Sequence, residues 1–417
     1  MKKFMDWLEN SFAPKLQKIT NLTWIVVIKD SLMQILPFIL AGSLFCCLAI
    51  LNDYIPGLPS FWTPFGWTMS KISLMVAFLI PFNYCEKKRF RKQRILAGIS
   101  GLILFMIFIE PNIQAEGTVG QGQALYGANG MFVAMFAGII SGLIFGAFAK
   151  FSFFKEDSAI PDFVRQWFDA LLPIMIVVVL GWVISGIIGF DVAGTIQSIF
   201  TPLGKLANTW YGMTIICFFY CFIYSMGIST WVLTPMAQPI KLQNIANNLA
   251  LVAAGTATAA NLSIFTETCM YTCYLWIGGI GATLSLVIMM NFSKSSELKA
   301  LGRACLVPGI FNINEPVVFG AIAWNPLLMV PMWIQGIVLP LMTWIFTKVI
   351  PLAPIPRIQF ELWYCPYPIS TAISTQGSIM GILFAIVTFI VSGLIWYPFF
   401  KAYEHQKVKE EAAKAQA

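Results

Sequence analysis

The chain has 417 residues, 58% of them hydrophobic and 11% charged, with a net charge of +7 and a mean hydropathy of +0.76. Soluble domains run near 45–50% apolar and about 25% charged, so this composition excludes an ordinary soluble enzyme. The apolar excess is gathered in uncharged runs such as LLPIMIVVVLGWVISGIIGF (171–190) and FAIVTFIVSGLIWYPFF (384–400), each near the ~20 residues that cross a bilayer as a helix. The predicted fold class is an all-α polytopic membrane protein. The basic residues flank the apolar runs rather than forming one face, which argues against nucleic acid as a partner.

MKKFMDWLENSFAPKLQKI, at the start, lacks the continuous apolar core and small-residue cleavage site of a secretory signal, so no cleaved leader is expected. Phe4, Leu8 and Phe12 recur at four-residue spacing beside Lys2 and Lys3. That pattern suits an amphipathic helix on the membrane surface over residues 1–18, and a plain solvated leader equally well. Hydropathy then places spans at about 24–51, 68–84, 95–109, 131–149, 171–190 and 213–229. Six basic residues in EKKRFRKQR (86–94) mark a cytoplasmic loop, and Lys150, Lys155 and Arg165 mark another. The loop 110–130 contains no Lys or Arg and reads as external. The N-terminus is therefore expected inside.

The second half is less regular. Residues 244–263 are helix-friendly but too small and polar for a lipid-facing span. YLWIGGIGATLSLVIMM (274–290) reads as a crossing, and 291–304 as a polar cytoplasmic stretch. Residues 325–350 cross with three internal prolines, 353–378 are semi-polar and proline-rich, and 379–399 form the last span. A charged tail, 401–417, ends in the cytoplasm. No Walker pattern occurs, so no nucleotide-hydrolysing motor is expected. The nine cysteines include Cys217/Cys221 and Cys269/Cys273 at i, i+4 spacing. The only histidine, His405, lies in the tail, so buried thiols are a better reading than a metal site. Neither metal nor cofactor is expected.

PGIFNINEPVVFG (308–320) is the informative stretch. Pro308, Gly309, Pro316 and Gly320 interrupt it, and broken backbone at membrane depth is tolerated only where protein buries it or water lines it. A re-entrant hairpin or an unwound segment facing a cavity is predicted. An intramembrane acid is a functional candidate by default, and Glu315 is flanked by Asn312 and Asn314. The competing reading of Glu315 is a loop acid at the cytoplasmic surface. Amides and a carboxylate suit vicinal hydroxyls, and aromatic faces suit the C–H edges of sugars. Trp231, Trp276, Trp324 and Trp363 lie near the broken segments, although each taken singly reads first as an interfacial-belt residue. An ion-coupled transporter using Asp30 and Glu315 is a weaker alternative, because Lys29 adjoins Asp30.

PGIFNINEPVVFG followed by NPLLMVP resembles the signature of the lactose/cellobiose/diacetylchitobiose-type IIC membrane subunits of the bacterial sugar phosphotransferase system. KDSLMQILPFILAGSLF (29–45), YGANGMFVAMFAGIISG (126–142), WIGGIGATLSLVIMM (276–290) and ELKALGR (297–303) resemble further family segments in the same order. The resemblance implies about ten transmembrane helices with two re-entrant hairpins and a homodimer in the bacterial inner membrane. It implies a single IIC domain, with 19–230 mainly a dimer scaffold and 231–400 the transport part. It further implies transport of a disaccharide, phosphorylated by a separate IIB subunit that IIA serves in turn. Glu315 takes the role of the family's sugar-binding glutamate, a possible base toward a hydroxyl, with Asn312 and Asn314 alongside. One departure stands out. The family's GIHG is represented by YSMGISTW (224–231), so Ser229 replaces the histidine and Thr230 the glycine. WYCP (363–366) replaces WTTP, making Trp363 a further candidate, and Ile280 replaces a serine. Substrate contacts are thus expected from Ser229, Thr230, Trp231 and Trp363, together with Asn312, Asn314 and Glu315. The altered positions leave open a non-phosphorylating sugar facilitator or sensor.

Overall fold

A computed structural model describes residues 2–51, 55, 57–111, 121–154 and 161–416. The side chains of Lys2 and Phe4, residues 112–120 of the predicted external loop and Lys155 lie outside the described residues. All regular structure among those described is helical. Six helices are long and apolar enough to cross a membrane: Thr23–Ala49, Trp62–Lys87, Ala128–Phe148, Val164–Ile187, Pro326–Val349 and Ile379–Lys414. A seventh crossing results if Val192–Ala207 and Trp210–Ser225, which meet at 87°, count as one broken span. Arg94–Ile109 is apolar but only 16 residues long.

Polar contacts and small residues hold the first helices together, as expected where lipid offers no hydrophobic drive between spans. Asn83 donates to Ser31 Oγ at 2.9 Å and to Gln34 at 3.2 Å. Ser141 Oγ donates to the Ala97 carbonyl at 2.9 Å. A Cβ on Gly101 would lie 2.5 Å from the Ala77 carbonyl oxygen, so only glycine lets these two helices approach so closely. Asp30, the alternative coupling acid, is paired with Lys29 at 3.3 Å.

The N-terminal segment is helical, as the amphipathic reading predicts, but Leu8 is fully buried against Ile223, Met226 and Met329. Phe12 meets the Phe222 ring edge-on at 5.7 Å. Its apolar face therefore docks on the protein, and the solvated-leader alternative falls.

Two departures from hydropathy bear on function. Val192–Ala207 was not foreseen, because Gln197, Pro202 and Lys205 dilute its apolar face. The 87° corner after it is made by Thr209, whose hydroxyl accepts from Gly212 N at 3.0 Å. More important, residues 274–290 are not one crossing. A π-helical turn, Thr268–Cys273, leads into an irregular loop over 274–283 and then the two-turn helix Leu284–Asn291. Gly278, Gly279 and Gly281 have φ of +86°, +96° and +86°, which no continuing helix accommodates.

The tail is not a free charged end. Ile379–Gln416 is one helix of 38 residues, about 57 Å long at 1.5 Å per residue. Glu411 accepts from Ser295 Oγ at 2.7 Å and from the backbone N–H groups of Glu297 at 2.9 Å and Ser296 at 3.1 Å. Glu404 accepts from Lys294 N at 2.8 Å, and Lys407 pairs with Glu297 at 2.8 Å. Carboxylates at a helix start satisfy its orphan donors, so the tail caps Ser296–Ile310, the helix that leads into PGIFNINEPVVFG. Glu411→Ala is expected to speed hydrogen exchange of the Ser296 and Glu297 amides severalfold. Unchanged exchange would mean the cap does not hold in solution.

Candidate functional site

The stretch 308–320 is interrupted, as predicted. Ser296–Ile310 ends, the chain turns through Asn312 at φ +59°, and the short helix Glu315–Val317 begins with Pro316 in its first turn. A π-helical turn, Val318–Ile322, follows. Asparagine tolerates the left-handed conformation at Asn312 better than most residues.

Both asparagines are committed to backbone. Asn312 Nδ2 donates to the carbonyls of Trp363 at 2.6 Å and Tyr271 at 3.2 Å, while its Oδ1 accepts from Gly278 N at 2.7 Å. Asn314 Nδ2 donates to the Ile280 carbonyl at 2.9 Å and to Thr283 Oγ1 at 3.2 Å. Its Oδ1 accepts weakly from Tyr224 at 3.4 Å. The amides thus pin three irregular segments to one another: the stretch 308–320, the glycine loop and the stretch around Trp363. They border the cleft, but most of their hydrogen-bonding capacity holds its walls in place.

Gly279 sits where two of these segments touch. A Cβ there would lie 2.4 Å from Asn314 Cγ, at a backbone φ of +96°. Gly279→Ala is expected to destabilise by roughly 2–5 kcal/mol, from the left-handed strain and the overpacking together. It should also displace the Asn314 amide. Thermal unfolding in detergent together with a ligand-binding assay checks this, and wild-type behaviour in both would refute it.

These segments border a small, partly open cleft of ≈ 70 Å³. Glu315 borders it with an exposed carboxylate that takes no hydrogen bond from any described residue. Thr230, Trp231 and Trp363 line the walls with Asn312 and Asn314. Six of the seven sequence-predicted site residues therefore come together. The seventh, Ser229, is exposed and lies outside the lining, while its neighbour Thr230 is buried against it. Of the other tryptophans, Trp276 is fully buried and outside the lining, and Trp324 packs beside Gly227.

Sequence reasoning missed the rest of the wall. Tyr220, Tyr224, Tyr271 and Gln238 line it, and so does a buried ion pair between Lys241 and Glu267. The Lys241 ammonium also stands 5.4 Å from the centroid of the Tyr271 ring. The signal was present: a lysine and a glutamate inside segments otherwise nearly free of charge. Among the described residues no group of three metal-ligating side chains forms, and all nine cysteines are free thiols.

The family model "Phosphotransferase system, EIIC" matches residues 29–336. A permease IIC component of Bacillus subtilis, YwbA, is 30% identical over 99% of this chain and 98% of its own length. A cellobiose-specific EIIC component of Geobacillus stearothermophilus is 29% identical over 99% and 97%. A lactose-specific EIICB component of Staphylococcus epidermidis is 27% identical over all of this chain and 73% of its own length. The crystal structure of ChbC, the IIC component from the N,N'-diacetylchitobiose-specific phosphotransferase system, superposes with a TM-score of 0.86. It is 27% identical and covers 97% of this chain and 99% of that one. With an all-helical membrane fold, an interrupted segment at a polar cleft and relatives matched along nearly its whole length, this chain belongs to the EIIC family of phosphotransferase-system permeases.

Proposed function

We propose that this chain takes up a neutral disaccharide of the lactose, cellobiose or chitobiose class and presents one of its hydroxyls for phosphorylation by a separate IIB protein. The observation that carries the reading is the Glu315 carboxylate, exposed at a cleft between interrupted segments and without a hydrogen-bond partner among the described residues. A hydroxyl hydrogen-bonded to it is oriented and polarised. As its oxygen attacks phosphorus on the IIB cysteine, the O–P bond forms and the S–P bond breaks. Glu315 accepts the hydroxyl proton and returns it to solvent, and the thiolate leaves. Trp231 and Trp363 offer ring faces to the sugar, and Thr230 a hydroxyl donor and acceptor. Asn312 and Asn314 act chiefly by holding the walls. Relatives named for lactose and cellobiose, and one named EIICB, support both the substrate class and the IIB partner.

The same reading extends to the assembly. It takes the chain as a homodimer in a bacterial inner membrane, both termini cytoplasmic, with about ten crossings and the transport part beginning near residue 231. The six basic residues of 86–94 support this orientation.

Inverted vesicles or cells supplied with IIA, IIB and a phosphoryl donor test the proposal, using labelled cellobiose and lactose. Label should accumulate as sugar phosphate only when IIB is present. Accumulation of unmodified sugar, equal with and without IIB, would overturn it in favour of a facilitator. Binding without uptake would favour a sensor.

A further inference from the structure

Lys241 lies on the helix Thr234–Ala253, and Glu267 precedes the π-helical turn Thr268–Cys273. Both side chains are almost completely buried, yet both line the cleft that Glu315 borders. A buried ion pair is a poor way to hold two segments together, because desolvating both charges offsets much of their attraction. Two apolar side chains of similar volume would serve as well or better. At membrane depth such a pair is a functional candidate. The hydrogen bonding leaves room for a ligand. Lys241 Nζ carries three N–H donors, of which one goes to Glu267 Oε2. Glu267 Oε1 takes no hydrogen bond from any described residue, and the Tyr271 ring flanks the ammonium. The lining carries one cation, Lys241, and two carboxylates, Glu267 and Glu315, a formal charge of minus one. The buried Glu361 carboxyl stands behind the pair, within electrostatic reach of Lys241.

We propose that the Lys241–Glu267 pair is the second anchor of the cleft: Lys241 donates to one hydroxyl, Glu267 Oε1 accepts from its neighbour, and the negative lining restricts the ligand to uncharged glycosides. This rests on the sugar-permease reading and deepens it. An internally neutralised pair presents a donor and an acceptor side by side, which fits vicinal hydroxyls. An anionic glycoside would meet two carboxylates with only one cation, and that cation is already paired.

The test uses the purified full chain in detergent, with cellobiose as the neutral probe and cellobionate, its aldonic acid, as the anionic one. On the wild type, cellobionate should compete at least tenfold more weakly than cellobiose. Equal or stronger binding of the acid overturns the inference. The double variant K241M/E267L replaces the pair with apolar side chains of similar size. It should retain the wild-type unfolding transition and bind cellobiose at least tenfold more weakly. Unchanged affinity would show the pair to be structural only. Should the double variant not fold, the wild-type selectivity decides alone. A wild type that binds no glycoside at all removes the permease reading itself, an outcome distinct from a binding wild type with an indifferent pair.

Discussion

Glu315→Gln is expected to leave the fold and its unfolding temperature unchanged while lowering IIB-dependent sugar phosphorylation by about 10²–10⁴-fold, the usual contribution of a positioned base. The two halves of this expectation have separate physical grounds. Stability should not change because the carboxylate is exposed and no described residue depends on it. Such surface substitutions usually stay within about 0.5 kcal/mol. Turnover should fall because the amide keeps the shape and one acceptor but cannot take a proton. Sugar affinity, measured by titration without IIB, should drop only modestly. Phosphoryl transfer at the wild-type rate in the glutamine variant would remove Glu315 from the chemistry and leave it a binding group at most.

Asn312→Ala should have the opposite signature: loss of the fold around the site, with loss of binding following from it. Three hydrogen bonds to buried or part-buried backbone disappear together. Each orphaned group costs about 1–3 kcal/mol, so the total is roughly 3–9 kcal/mol. The left-handed φ of +59° adds to this, since alanine is less at ease there than asparagine. Asn312→Asp is the sharper comparison. An ionised aspartate still accepts from Gly278 N but cannot donate to the carbonyls of Tyr271 and Trp363, so it should be nearly as damaging. Unfolding midpoints in detergent decide the matter, and an aspartate variant as stable as wild type would refute the role given to the donors.

Much of this was legible in the sequence, and the boundary follows the physics. Helices with uncharged runs appeared where hydropathy put them, because lipid leaves the backbone few alternatives. The interruption at 308–320 was legible because proline, glycine, asparagine and glutamate violate that rule together. What escaped was any structure whose cause is tertiary. The crossing expected over 274–290 failed because Gly278, Gly279 and Gly281 take left-handed conformations that Asn312 and Asn314 then stabilise from a distant segment. An apolar window cannot register that. The asparagines border the cleft, but composition shows only that an amide is present and not what it already bonds. Lys241 and Glu267 were passed over because, 26 residues apart in sequence, neither suggests the other.

The long terminal helix carries a mechanical consequence. Near its middle, Ser392 Oγ and Trp396 Nε1 both donate to the Ala282 carbonyl in the glycine loop, at 2.8 and 3.2 Å. Near its end, Glu404 and Glu411 grip the start of Ser296–Ile310. One rod is thus bonded both to the glycine loop and to the start of Ser296–Ile310, at points 8–19 residues apart along its length, some 12–28 Å at about 1.5 Å per residue. Any displacement of the glycine loop has to carry this rod with it, so force applied near Glu411 is felt at that loop.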